Sequence, residues 1–264
     1  MSQPNPYASP GSVDPHVERV PEPTWARVLS RLQDLLLNIW PMMLGVLVVL
    51  CLPWQLLLSF VIYTFLEQEE VMSLVYVSLL GTFGQLTVQL LAEALVIAAA
   101  WQHLQKETLD VSAAIGRGLR GFVAVFPSML LSFMAISAAM ILCIFPGVYL
   151  NIRWMFALPI AVAEGRGGLH PLQKSWEITE PHFFYSMLMF ALFCIPLVVV
   201  MVVTSLPSAL MPEIDHWVID GTLTTVGDLF TLIVCCGFTV AYYELLLSQV
   251  VPATALPQSP HFNQ

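Results

Sequence analysis

Charged side chains inside long apolar runs are the residues of this sequence with the clearest chemical potential. They are Arg153, Asp228, Glu93, Glu164 and Glu244. A charge within a membrane span costs roughly 2.5–3.5 kcal/mol on insertion scales, so it usually pairs or faces a cavity. The three glutamates could bind a proton, a cation or a headgroup amine in a central cavity. Alternatively, they lie near the interface and meet Lys106, Arg166 or water, which is the favoured interpretation because Glu164 and Glu244 fall close to predicted helix ends; Glu93 is the deepest.

Arg153 and Asp228 lie at similar depths in their respective runs. Each is about six residues, or roughly 9 Å of helix rise, from the predicted outer end. Equal depth and opposite charge suggest the hypothesis of an Arg153–Asp228 ion pair. In the alternative, the arginine side chain extends to the outer headgroups, assisted by Trp154 and Tyr149.

The sequence contains no recognisable catalytic, nucleotide-binding or metal-binding motif. It has no His-Glu-x-x-His helix, no Gly-x-Ser-x-Gly elbow and no phosphate-binding loop. The 5 cysteines all fall inside apolar runs and lack Cys-x-x-Cys spacing, which is typical of small buried side chains. We therefore predict no catalytic residue, no cofactor, no metal and no nucleic-acid partner.

The elements that carry these residues are long apolar segments. Hydrophobic residues make up 58% of the chain and charged residues 10%, against about 45–50% and 25% in soluble domains. A span needs about 20 apolar residues to cross a hydrocarbon core of about 30 Å. Six runs meet or approach this length: 38–66, 71–100, 122–145, 148–163, 183–206 and 222–247. They predict an all-α integral membrane protein, a bundle of six transmembrane helices.

The fourth run, 148–163, is the shortest and most polar of the six. Pro146-Gly147 immediately before it predicts a tight turn between the third and fourth runs. Two membrane-spanning helices are the main interpretation of these runs. A re-entrant third–fourth hairpin is the alternative.

Basic residues predict the orientation of the bundle. With the N-terminus inside, the cytoplasmic segments hold Arg19, Arg27, Arg31, Lys106, Arg117, Arg120, Arg166 and Lys174. The predicted external loops, 67–70 and 207–221, contain no lysine or arginine. Because positive charge in short loops sets topology, this distribution places the N-terminus in the cytoplasm. An even number of spans returns the C-terminus there, and we expect a bacterial inner (plasma) membrane.

Segments outside the spans divide into tails and interfacial helices. Residues 1–24 and 250–264 are predicted to be disordered cytoplasmic tails, flanking a membrane domain over 25–249. Residues 25–37, 109–121 and 168–179 are predicted to be amphipathic helices in the membrane interface. Candidate headgroup contacts are Arg117, Arg120, Arg166, Lys174 and Trp176. For 109–121 and 168–179, the favoured interpretation is that they only hold the loops against the bilayer.

A family resemblance appears in the stretch 145–179. Its pattern consists of Pro146-Gly147, Tyr149, Arg153-Trp154, Pro159, Glu164-Gly165, Lys174 and Ser175-Trp176. This resembles the membrane domain associated with bacterial glycerophosphodiester phosphodiesterases and related stand-alone polytopic proteins. The resemblance implies a membrane architecture and carries over no catalytic residue, and no phosphodiesterase domain is expected. Relatives often end the last span with Tyr-Tyr followed by an acidic residue, a leucine and an arginine. The segment 241–246 of this chain lacks that arginine.

The sequence therefore predicts a non-enzymatic membrane domain that contacts lipids or acts as a membrane-embedded partner of other proteins or of its own copies. The rival is a small transporter or channel with Arg153, Asp228 and Glu93 along one path. A third alternative, an intramembrane lipid enzyme, needs a catalytic dyad that the sequence does not show. A cavity from Arg153 toward Glu93 would favour transport, whereas a solid bundle would favour the lipid-contacting interpretation.

Overall fold

Helices account for all the regular structure in the described part of the chain. The computed structural model describes residues 24–66, 71–105, 109–210 and 217–250. Its helices are α1 (Trp25–Val46), α2 (Leu52–Leu66), α3 (Val71–Leu104), α4 (Val111–Leu142), α5 (Ile144–Trp154), α6 (Ala157–Glu164), α7 (His170–Thr179), α8 (Phe183–Leu210) and α9 (Trp217–Val250). A π-helical turn, Leu47–Cys51, joins α1 to α2. It precedes Pro53, whose ring would clash with a carbonyl in a regular α-helix.

Six segments are long and apolar enough to cross a membrane. They are Trp25–Thr64, Leu79–Leu104, Val111–Leu142, Ile144–Glu164, Phe183–Leu206 and Trp217–Ser248. The predicted all-helical, polytopic membrane architecture is confirmed. The predicted tails, apart from Thr24 and Val250, lie outside the described residues, as do the external loop 67–70 and Lys106.

The first span differs from its prediction at its start. Residues 25–37 do not form a separate helix; they are the first turns of α1, which runs on through residue 46. The reason is a stripe of buried side chains that continues past residue 37 without interruption: Val28, Leu32, Leu35, Ile39 and Met43. Spacing of three and four residues keeps this stripe on one helix face, where it packs against α3 and α9.

The predicted interfacial helix 109–121 is likewise the beginning of a longer helix, α4. The carboxylate of Asp110 accepts hydrogen bonds from the N–H groups of Ser112 (2.9 Å) and Ala113 (3.2 Å) and so caps the start of α4. Gly118 and Gly121 then let α4 approach Leu95 of α3 and Val162 of α6 closely. Because both glycines are buried in these contacts, this segment packs into the bundle. The third predicted segment does form a short separate helix, α7, with Pro171 in its first turn.

The turn between the third and fourth spans lies three residues earlier than predicted. The chain breaks at Cys143, whose backbone is extended (φ −167°, ψ 139°). Pro146 and Gly147 instead belong to the first turn of α5, where a proline needs no N–H partner. A side chain at position 147 would clash with Met140 of α4. The dipeptide therefore allows the close start of a helical hairpin and does not itself form the turn.

Helix α9 occupies the centre of the bundle and contacts α1, α2, α3, α6 and α8. The fourth span, which is broken between α5 and α6 at Met155–Phe156, is as deeply buried as α9. Helix α8 exposes most of its apolar side chains, as a lipid-facing helix does. The polarity of the fourth span follows from this arrangement, because protein surrounds it on most sides.

Candidate functional site

A cavity of about 650 Å³ lies between α3, α4 and α5. Its walls are mainly apolar, with Phe126, Ile136 and Trp154 among them. Phe83 and Phe133 also line it and are about half exposed, at 50% and 46%. Since these exposed residues belong to the sides of spans, the cavity opens sideways from the bundle, and we call it the lateral cavity. Its volume lies within the roughly 300–1,000 Å³ typical of ligand pockets.

Glu93 supplies the carboxylate of the lateral cavity. Gln89 Nε2, one helical turn earlier on α3, donates a hydrogen bond of 3.0 Å to Glu93 Oε1. The thiol of Cys235 on α9 lies next to this carboxylate. Gln89 and Cys235 are both neutral, and none of the ion pairs formed within the described ranges includes Glu93.

Arg153 lies in a cage of three aromatic rings. Its Cζ is 4.7 Å from the ring centroid of Trp176, 5.0 Å from that of Tyr149 and 5.3 Å from that of Phe183. Its Nε and Nη2 donate to the Tyr149 hydroxyl at 2.9 and 2.7 Å. The residue is only 8% exposed, so the cation is largely desolvated, and the ring faces and the Tyr149 hydroxyl together stabilise it. The cage joins α5, α7 and α8.

The predicted Arg153–Asp228 ion pair is wrong. Asp228 accepts a hydrogen bond of 2.8 Å from Gln55 Nε2 on α2. Equal depth along two spans does not make them neighbours, and α9 places Asp228 against α2 and not against α5. The alternative, in which the Arg153 side chain extends to the headgroups, does not fit either, because Arg153 is buried. Tyr149 does contact Arg153, as that alternative expected.

Helix α7 satisfies the backbone at the break of the fourth span. Ser175 Oγ donates to the Arg153 carbonyl oxygen (2.7 Å) and accepts from the Phe156 N–H (3.3 Å). Ser175 is completely buried. The Ser175-Trp176 pair of the sequence pattern thus has two structural tasks: Ser175 caps the break, and Trp176 covers Arg153. Sequence spacing does not predict this capping, because Ser175 lies on α7 and the backbone groups that it bonds lie at the break between α5 and α6.

The other two intramembrane glutamates have basic partners. Glu164 binds Lys174 Nζ and, at 2.9 Å, His170 Nε2, which links α6 to α7. Glu244 is paired with Arg31 at 2.8 Å and Arg27 at 3.5 Å. Basic partners are found as predicted, but they are residues other than Arg166, and Lys106 lies outside the described residues.

The candidate headgroup contacts do not converge on one site. Lys174 and Trp176 are engaged inside the bundle by Glu164 and Arg153. Arg120 is exposed and donates to the Gly116 carbonyl oxygen of its own helix. Arg166 is exposed in the loop between α6 and α7, and Arg117 is partly buried on α4.

The comparisons with known proteins bear on the segment that holds the cage and the break. No curated protein and no solved structure matches the chain. A family described as the membrane domain of glycerophosphoryl diester phosphodiesterase matches residues 126–262. The matched part begins within α4 and includes α5 to α9, so it covers every element that contacts Arg153 and Ser175. This chain therefore belongs to the family of glycerophosphoryl diester phosphodiesterase membrane domains.

Proposed function

We propose that this chain is a lipid-contacting membrane domain without an enzymatic activity of its own, and that the lateral cavity holds an acyl chain of a membrane lipid. The observation that carries this proposal is the cavity itself. Its lining is mainly apolar, and it opens through the exposed side chains of Phe83 and Phe133. In a membrane-spanning bundle, such an opening faces lipid tails.

The distribution of the intramembrane charges supports lipid contact over transport. A polar transport path would need Arg153, Asp228 and Glu93 along one cavity. The bundle is not solid, because the lateral cavity reaches Glu93, but neither Arg153 nor Asp228 lines that cavity. Arg153 is held among aromatic rings, and Asp228 is bound by Gln55. The three charges therefore lie in three separate environments.

Filling the lateral cavity tests the proposal. Ile136→Trp places a larger side chain on the cavity wall, so we expect labelling by a phospholipid with a photoreactive acyl chain to fall about fivefold at α3 and α4, which corresponds to about 1 kcal/mol. Labelling is measured by peptide mass spectrometry of the full chain in liposomes. Val199→Trp on the exposed side of α8 is the control and should leave this labelling unchanged. Equal labelling of all three proteins at α3 and α4 would contradict the proposal.

We further propose that the protein resides in a bacterial inner membrane with both termini cytoplasmic. The contact between Arg27, near the start of α1, and Glu244, near the end of α9, supports termini on one side. We expect green fluorescent protein fused after Gln264 to fluoresce and alkaline phosphatase fused there to be inactive. Alkaline phosphatase inserted after Gln68 should be active. Phosphatase activity from the C-terminal fusion would contradict this orientation.

A further inference from the structure

We propose that Glu93 binds the primary ammonium group of an aminophospholipid whose acyl chain occupies the lateral cavity. The inference rests on the proposed function and adds the headgroup that the cavity would select. It combines three properties of the site: the charge balance around Glu93, its position at one end of the cavity, and the chemistry of the hydrogen bonds that it can form.

The charge balance distinguishes Glu93 from the other glutamates of the spans. Glu164 and Glu244 each have two basic partners, whereas Glu93 accepts a hydrogen bond from a neutral amide and lies next to a thiol. A carboxylate held away from water is costly unless a cation compensates it. Because no cation within the described ranges forms an ion pair with Glu93, a ligand that brings its own positive charge is complementary to this site.

The position of Glu93 indicates an amphiphilic ligand. Along α3, the residues that line the lateral cavity extend from Phe83 to Glu93, about 15 Å of helix rise, and Glu93 is at the end nearer the α3–α4 connection. Apolar side chains such as Leu86 and Leu90 lie between them. A ligand that fills this space therefore has a cation at one end and an apolar chain along the remainder.

The hydrogen-bonding chemistry favours a primary ammonium over a quaternary one. A carboxylate only accepts hydrogen bonds, and a primary ammonium provides three donors. A quaternary ammonium has none and is recognised mainly by aromatic cages. The three-ring cage of this protein already contains the guanidinium of Arg153. The site near Glu93 therefore matches the headgroup of phosphatidylethanolamine better than that of phosphatidylcholine.

The test compares lipids with identical dioleoyl chains by native mass spectrometry of the full chain released from detergent. We expect phosphatidylethanolamine to bind about tenfold more tightly than phosphatidylcholine or phosphatidylglycerol, a difference of about 1.4 kcal/mol. Glu93→Gln should abolish this preference while all three lipids continue to bind at the weaker level. Asp228→Asn is the matched control, since Asp228 is also an intramembrane carboxylate held by a glutamine but does not line the lateral cavity. It should keep the tenfold preference.

The outcomes separate this inference from the proposed function. A preference for phosphatidylethanolamine that survives in Glu93→Gln would overturn the inference. Equal binding of the three lipids to the natural protein would also overturn it, whatever the variants do. In either case, lipid binding that is still reduced by Ile136→Trp would leave the proposed function in place. A lipid-free dimer that Ile136→Trp converts to a monomer would assign the cavity to a second copy of the chain and overturn both.

Discussion

Replacing both Arg27 and Arg31 with alanine is expected to lower the free energy of unfolding by about 3 kcal/mol, the low end of the range for breaking a buried ion pair. The side chain of Glu244 is completely buried, and these arginines are its ion-pair partners. Without them a carboxylate would remain in the core with no compensating charge. The low end applies because the arginine side chains are 25% and 36% exposed, so water reaches their side of the contact. Unfolding by denaturing detergent, followed by tryptophan fluorescence, measures the change.

Adding Glu244→Gln to the double variant should recover part of the lost stability, because a neutral amide costs less to bury than an unpaired carboxylate. Arg120→Ala is the control, since Arg120 is exposed and, among the described residues, bonds only to its own helix backbone. It should change the free energy of unfolding by less than about 0.5 kcal/mol. If the double variant is as stable as Arg120→Ala, the arginines of α1 do not stabilise the buried carboxylate of Glu244.

Ser175→Ala is expected to reduce the free energy of unfolding by about 2 kcal/mol, because it leaves buried backbone groups without their hydrogen bonds. Those groups are the Arg153 carbonyl and the Phe156 N–H at the break of the fourth span. The Thr179 hydroxyl, at 3.4 Å from the same carbonyl oxygen, compensates for only part of the loss. The measurement is the same detergent titration, made on protein in identical micelles.

The control for this prediction is Ser186→Ala. Ser186 is also completely buried, but its hydroxyl oxygen has no hydrogen-bond partner within the described ranges. Removing it should therefore be neutral or slightly stabilising. Equal losses in Ser175→Ala and Ser186→Ala would show that the substitution of any buried serine has this effect, and that capping of the break is not the cause.

The spans could be predicted because each depends on local composition. A run of about 20 apolar residues specifies a helix in a bilayer regardless of its neighbours. The start of α1 could not be placed in the same way, because only contact with α3 and α9 decides whether residues 25–37 lie on the surface or continue into the span. In the sequence, Gly147 predicts a turn, whereas in the structure it makes room for Met140.

The sequence predicts individual residues of the candidate site but not which of them lie next to one another. Glu93 and Arg153 are identifiable from sequence because a charge in an apolar run is itself unusual. Their partners come from helices far away in the chain, and depth along a span does not specify which other span is adjacent. Depth alone therefore suggests Arg153 as the partner of Asp228, whereas the residue that binds Asp228 is Gln55. The lateral cavity exists only through the packing of α3, α4 and α5.

The dependence of the fourth span on α7 has a consequence for biogenesis. Ser175 follows Arg153 by 22 residues, so the break is synthesised well before the side chain that satisfies it. While the nascent chain emerges, the segment from α5 to α6 carries open backbone groups that hydrocarbon does not solvate. The fourth span therefore obtains these hydrogen bonds only after α7 has been synthesised.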